Sequence, residues 1–329
     1  MHTRRLGKTG FQIGDVGLGT WAIGGSWGQV TEEAALDTLR AALDAGVTFL
    51  DTADVYGDGR SERLIRTVLE ERGRPEAVKV ATKAGRGLDP HVAAGYDYRH
   101  LSGFARRSLD NLGVETLDLL QLHCPPTDVY RADTAFEALE RMHREGMIRH
   151  YGVSVETVEE AELSLEHEGV ATVQIIYNMF RLKPADAFFA SAHQRDVGVI
   201  VRVPLASGLL SGKMSRERHF DADDHRAFNR HGEAFDVGET FSGVDFETGL
   251  AAAEELKALV PEGFTLAQLA LRWVLMHPAV SVVIPGARRP DQVRDNVGAS
   301  EMPALPPAAM QRVREIYDAH IRASVHGRW

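Results

Sequence analysis

Short apolar runs rich in β-branched residues recur along the chain. Each is followed by a stretch whose apolar positions fall three and four apart. The first kind reads as a buried strand and the second as an amphipathic helix. The strand-like runs are residues 15–21, 47–50, 77–83, 116–123, 150–155, 171–177, 198–203 and 280–284. They are apolar on both faces, as expected of parallel strands covered on both sides. The first helix starts at a Thr31 cap, turns Leu36, Leu39 and Leu43 to one face and stops at Gly46. Ser61 is the expected cap of the next, with Leu64, Ile65, Val68 and Leu69 inward. Further helices are predicted over 98–112, 185–196, 247–259, 265–277 and 307–323, and from Pro290 at a first helical position. Two capping-box patterns, Thr134 with Glu137 and Thr157 with Glu160, open two more. Residues 3–14 read as a hairpin turning at Lys8-Thr9-Gly10, and 207–245 as a long polar loop.

Eight strands, each followed by a helix, point to an α/β fold, a (β/α)8 TIM barrel, as a single domain over 1–329. Active sites in that fold lie at the C-terminal ends of the strands. Asp51 and Tyr56, Lys83 and His123 fall at or just past the ends of the second, third and fourth strands. Those strands are neighbours in a barrel, so a carboxylate, a phenol, an ammonium and an imidazole gather around one mouth. Taken singly, each has a plainer reading: Asp51 and Asp54 as turn residues, Lys83 as a solvated strand end, His123 as a satisfied core histidine. Their order along adjacent strands favours chemistry.

Composition narrows the function. The chain has 329 residues, 44% hydrophobic and 26% charged, enough to bury a full core. A net charge of −10 argues against nucleic acid or an anionic membrane surface as partner. No apolar stretch approaches the ~20 residues that span a bilayer, and no secretory leader is visible. A single cysteine, Cys124, rules out an intrachain disulfide and suits a reducing, cytoplasmic location. The expected partner is a small molecule, with homo-oligomerisation left open. Gly17-Leu18-Gly19-Thr20-Trp21-Ala22 fits a dinucleotide fingerprint, but helix character begins only near Thr31, and that motif needs a helix opening within it. His219, His225 and His231, with Asp221, Asp223 and Asp224, match no ordinary zinc spacing; a solvated loop is expected there and no metal.

Tyrosine is a weak acid, with a reference pKa of ~10. Beside an ammonium it ionises more easily and can deliver a proton to a developing alkoxide. Asp51-Thr52-Ala53-Asp54-Val55-Tyr56-Gly57, Thr82-Lys83 and Asp118-Leu119-Leu120-Gln121-Leu122-His123 together resemble the aldo-keto reductase superfamily. Gly152-Val153-Ser154, the stretch from Pro204 to Lys213 and Ile284-Pro285-Gly286-Ala287-Arg288 extend the likeness nearly end to end. The resemblance implies that the N-terminal hairpin plugs the barrel bottom and that NADPH binds across the mouth, with NADH less favoured. It implies Tyr56 as proton donor to a carbonyl, Lys83 paired with Asp51 to lower the tyrosine pKa, and His123 orienting the substrate. By matched position it places Thr20 and Trp21 near the nicotinamide, Ser154 and Gln174 on its carboxamide, and Pro204, Leu205, Ser207 and Lys213 over the pyrophosphate. Gly286, Arg288, Gln292, Asp295 and Asn296 fall at the adenosine end, with Arg288 toward a 2′-phosphate. Trp21 and Trp27, with Tyr56 and His123, face the substrate.

The chain departs from the family's pattern twice: Arg202 stands where an aromatic ring commonly stacks on the nicotinamide, and Val155 where a polar residue often follows the serine. The implied activity is reduction of an aldehyde, ketone or sugar carbonyl, or the reverse. The alternatives are a nicotinamide-binding regulatory subunit with little turnover and an unrelated barrel enzyme.

Overall fold

The computed structural model describes residues 1–25 and 30–329. Among them, ten strands form two sheets: β1 (Thr3–Arg5), β2 (Gln12–Gly14), β3 (Leu18–Gly19), β4 (Phe49–Asp51), β5 (Lys79–Ala84), β6 (Leu117–His123), β7 (Ile148–Ser154), β8 (Val170–Ile176), β9 (Gly198–Arg202) and β10 (Val280–Val283). β1 and β2 pair antiparallel as the expected hairpin. β3 to β10 are parallel and lie side by side in chain order. Val16 bridges Val283 and Gly19 bridges Gly286, both parallel, so the first strand meets the last and the sheet closes into a (β/α)8 barrel.

Strand parity explains the interior. Alternate residues of a strand point to the same side. Leu6 and Ile13 of the hairpin pack with Phe49, Ala81, Leu119, Ile200, Val282 and Ile284 in one apolar cluster. All are nearly inaccessible, and Phe11 packs beside them. The hairpin thus fills the lower end of the barrel with side chains. Two residues further along the same strands stand Asp51, Lys83, Gln121 and Arg202, also buried. The strands are therefore not apolar on both faces throughout. On β4, β5, β6 and β9 the lower inner positions are apolar and the upper inner positions are polar.

Several helix boundaries differ from the sequence-based expectation. Thr31 caps Glu32–Asp44, accepting from Ala34 N at 3.2 Å, and the Thr157–Glu160 capping box forms. Ser61 does not cap its helix. Gly59 does, and the Ser61 hydroxyl is drawn inward to Thr20 and Thr52. The Thr134–Glu137 box does not form either, because Thr134 is already the first helical residue after Asp133. The stretch 185–196 is two short helices, Lys183–Ala187 and Phe189–Gln194. Residues 207–245 contain four short helical turns and carry the buried side chains Asp224, His225 and Arg226. No helix among the described residues is long and apolar enough to cross a membrane.

Candidate active site

The polar upper layer opens into a cavity of about 530 Å³. At its floor Lys83 Nζ donates to Asp51 Oδ1 at 2.6 Å and to the Thr52 carbonyl at 2.8 Å. The amide groups of Gln174 and Gln121 donate to Asp51 Oδ2 at 2.7 and 3.2 Å. Lys83 also donates to the Tyr56 oxygen at 3.4 Å. Accepting that bond leaves the phenolic hydrogen available to another acceptor. The His123 ring lies edge-on to Tyr56, with centroids 5.9 Å apart.

Local backbone sets these positions. β4 ends at Asp51, and the tight loop after it is held by Gly59 N to Asp54 O at 2.8 Å and by Arg107 to Asp54 Oδ2 at 3.3 Å. Gly57 has φ +64°, and a Cβ there would lie 2.2 Å from the Gly24 carbonyl oxygen. A Cβ on Gly24 would lie 2.8 Å from Tyr56 Cβ. Two glycines thus let the loop after β3 close against Tyr56. Cys124, Val203, Ala206 and Ser207, just beyond the ends of β6 and β9, hold positive φ without being glycine. Such strain concentrates at functional mouths.

The electrostatics follow from burial and pairing. Burial works to lower the Lys83 pKa, but Asp51 and Tyr56 outweigh it and hold the ammonium above its usual range. For Tyr56, burial raises the phenol's pKa, and the pull of Lys83 the other way does not overcome it. Lys83 thus acts on Tyr56 in the expected direction, while burial acts against it. Burial, then the charges of Arg86, Lys83 and Arg202, keeps His123 well below its ordinary pKa, so it is neutral at pH 7. Its Nδ1 has no hydrogen-bond partner among the described residues.

The cavity extends from this cluster to the N-terminus of the helix Pro290–Glu301. Trp21, Ser154, Gln174, Arg202, Pro204, Leu205, Ser207, Lys213, Gly286, Arg288, Gln292, Asp295 and Asn296 all line it, with Tyr56, Asp51 and His123. Thr20 does not; it lies beneath, its hydroxyl donating to the Asp51 carbonyl at 2.8 Å. Trp27 lies outside the described residues. Trp21 covers Tyr56, its ring centroid 6.2 Å away, and packs on His225 and Phe235. Arg202 does not stand alone as a stacking cation. It donates to Glu239 at 2.6 Å and to the Val155 carbonyl at 3.0 Å.

Several lining residues escaped the sequence reading. Arg86, Arg218, Arg226, Phe235 and Glu239 come from loops whose path no periodicity encodes. Gln121 was within reach: it sits two residues before His123, on the same side of β6. At the far end, burial and then the neighbouring guanidiniums of Arg226, Arg218 and Arg289 lower the Arg288 pKa, with Asp224 opposing. Such crowding of positive charge beside a helix N-terminus suits a phosphate-bearing ligand. An elongated groove, cationic at one end and polar at the other, fits a dinucleotide.

The sequence pattern of the Aldo/keto reductase family matches residues 15–318. This chain belongs to that family. It is similar to Aldo-keto reductase YhdN of Bacillus subtilis (strain 168), 32% identical over 297 residues that cover 89% of this chain and 87% of that one. A probable voltage-gated potassium channel subunit beta of Arabidopsis thaliana is 28% identical over 330 residues, covering 96% of each. Among solved structures, the glycerol dehydrogenase AKR11B4 from Gluconobacter oxydans superposes with a TM-score of 0.78 at 32% identity, over 97% of this chain and 96% of that one. The family makes this aldo-keto reductase an oxidoreductase acting on carbonyl groups of small molecules.

Proposed function

We propose that the protein is an NADP(H)-dependent reductase of aldehydes, ketones or sugar carbonyls, reversible as an alcohol dehydrogenase, with Tyr56 as general acid. The observation that carries this is the line Asp51–Lys83–Tyr56, 2.6 and 3.4 Å per link, ending at a cavity wall. When bound, the reduced nicotinamide supplies hydride to the carbonyl carbon. Tyr56, protonated at neutral pH, gives its phenolic proton to the carbonyl oxygen as negative charge builds there. Lys83, kept charged by Asp51, stabilises the phenolate left behind, which regains its proton from water. Neutral His123 can donate one hydrogen bond and orients the carbonyl. Ser154 and Gln174 would hold the nicotinamide end; Ser207 and Lys213 the pyrophosphate; Gly286, Arg288, Gln292, Asp295 and Asn296 the adenosine end. The cationic cluster around Arg288 favours a 2′-phosphate, hence NADPH over NADH. The buried free thiol of Cys124 accords with a reducing, cytoplasmic setting.

A Tyr56→Phe variant tests this reading. Loss of the proton donor should cost about 10²–10⁴-fold in kcat, while calorimetry finds NADPH bound as tightly as by the parent protein. Unchanged turnover in that variant would reject Tyr56 as the acid. The likeness to a channel beta subunit supports a second reading, a nicotinamide-binding regulatory subunit. It would be favoured by parent-protein turnover as low as that of the phenylalanine variant.

A further inference from the structure

Arg86 stands three residues beyond Lys83, on the loop after β5. Gly85 makes the turn that places it, with φ +102°, and the Tyr96 ring occupies the space of a Cβ at 2.5 Å. The Arg86 side chain lines the same cavity as Tyr56 and His123. Its guanidinium carbon lies 5.5 Å from the centre of the Phe235 ring. Two carboxyl groups face it, Glu156 at 3.8 Å and Glu239 at 4.0 Å. Both are too far for a hydrogen bond. Glu239 is already engaged by Arg202 at 2.6 Å. Arg86 therefore presents a fork of N–H donors without a hydrogen-bonded acceptor among the described residues.

The cations around the site are not equally partnered. Lys83 is matched by Asp51 and Arg202 by Glu239. Asp236 acts on the buried Arg181. Glu156 is pushed up to about 8 by burial and by Glu239 and Asp236, against Arg202 and Arg86, so it is largely protonated at neutral pH. His123 is neutral. Of Lys83, Arg202 and Arg86, only Arg86 has no hydrogen-bonded carboxylate among the described residues. A partly buried guanidinium whose N–H groups lack an acceptor is under-satisfied, and an arriving anion can supply that acceptor. One planar guanidinium matches one carboxylate in bidentate geometry. A phosphate dianion would leave surplus negative charge beside Glu239.

We infer that Arg86 determines specificity, and that the substrate is a carbonyl compound bearing a carboxylate, which Arg86 receives while Tyr56 and His123 face the carbonyl. The inference rests on the reductase reading above. The test compares ω-oxo acids with uncharged aldehydes of equal length, using NADPH: glyoxylate against acetaldehyde, succinic semialdehyde against butyraldehyde, 6-oxohexanoate against hexanal. Glyceraldehyde serves as a neutral polyol.

At least one acid should exceed its neutral partner by about tenfold or more in kcat/KM, the scale of a charge-assisted hydrogen bond. In Arg86→Gln that ratio should fall by a similar factor, chiefly through KM, and Arg86→Lys should keep part of it. Calorimetry on the NADP⁺-loaded protein supplies a readout independent of turnover: butyrate should bind more tightly than butyramide, and the glutamine variant should lose the difference. If Arg86→Gln does not fold, the lysine variant and the butyrate–butyramide comparison on the parent protein carry the test.

Acids no better than their neutral partners, a preference for glyceraldehyde, or equal losses for acids and neutrals in Arg86→Gln would overturn the inference while leaving the reductase reading intact. Binding of NADPH with no turnover of any aldehyde would overturn both.

Discussion

Four side chains from three adjacent strands converge here because each strand end delivers one or two groups to the same mouth. Asp51 is the hub. One oxygen holds Lys83 and the other takes two glutamine amides. Asp51, Tyr56, Lys83 and His123 were legible because residue type and strand position point the same way. The contribution of burial to the Tyr56 pKa was not, since burial is a property of the folded environment and opposes Lys83. Glu156 is a second case. Its carboxyl, raised to about 8 by burial and then by Glu239 and Asp236, keeps a proton that the unfolded chain gives up near the ordinary 4.5. Between those values the folded state binds more protons than the unfolded state, so stability falls as pH rises through that window. Glu156→Gln removes this dependence. Urea melts should show little gain over the parent at pH 5 and a gain on the order of 1–3 kcal/mol at pH 8.

At the scale of elements, the period-two rule divides the inner faces of β4, β5, β6 and β9 into an apolar lower part and a polar upper part. The hairpin completes the lower half. Leu6, fully buried, reaches into the cluster with Phe49, Leu119 and Ile200. Leu6→Ala should cost about 2–5 kcal/mol in urea unfolding, with the KM for NADPH unmoved, because the hairpin lies at the opposite end of the barrel from the site. Strand order and helix spacing were readable because β and α periodicities differ. Cap positions were less so. Gly59 rather than Ser61 starts its helix because the Ser61 hydroxyl finds partners in Thr20 and Thr52 across the barrel wall. A local preference yielded to a tertiary one.

For the whole molecule, residues 207–245 matter most. They read as a polar loop, yet they bring Lys213, Arg218, Arg226, Phe235 and Glu239 to the cavity. The end of the chain holds part of this segment. Trp329 Nε1 donates to Asp236 at 2.9 Å, and the Arg181 guanidinium lies 3.9 Å above the indole. The ring also fills the space beside Gly243. Trp329 thus packs on its own barrel and braces the turn that carries Glu239, the partner of Arg202. Trp329→Ala should lower stability by roughly 3–5 kcal/mol. It should also reduce kcat/KM for the carbonyl substrate while NADPH affinity, measured by calorimetry, stays closer to that of the parent protein. Equal losses in both would show that the brace acts on the fold alone.

The sequence by itself determined the barrel and the meeting of Asp51, Tyr56, Lys83 and His123 at its mouth. Hydrophobic periodicity is a local quantity, and the ends of successive parallel strands must meet in a closed sheet. Only the tertiary structure decided which charges meet and which of them hydrogen-bond. Arg86 and Glu156 lie 70 positions apart, and Arg202 and Glu239 are joined through a loop without a repeating pattern. Pairing at such separations depends on the path of loops, and protonation depends on the burial that path creates. The nature of the site is therefore written along the strands, and its selectivity in the loops that close over them.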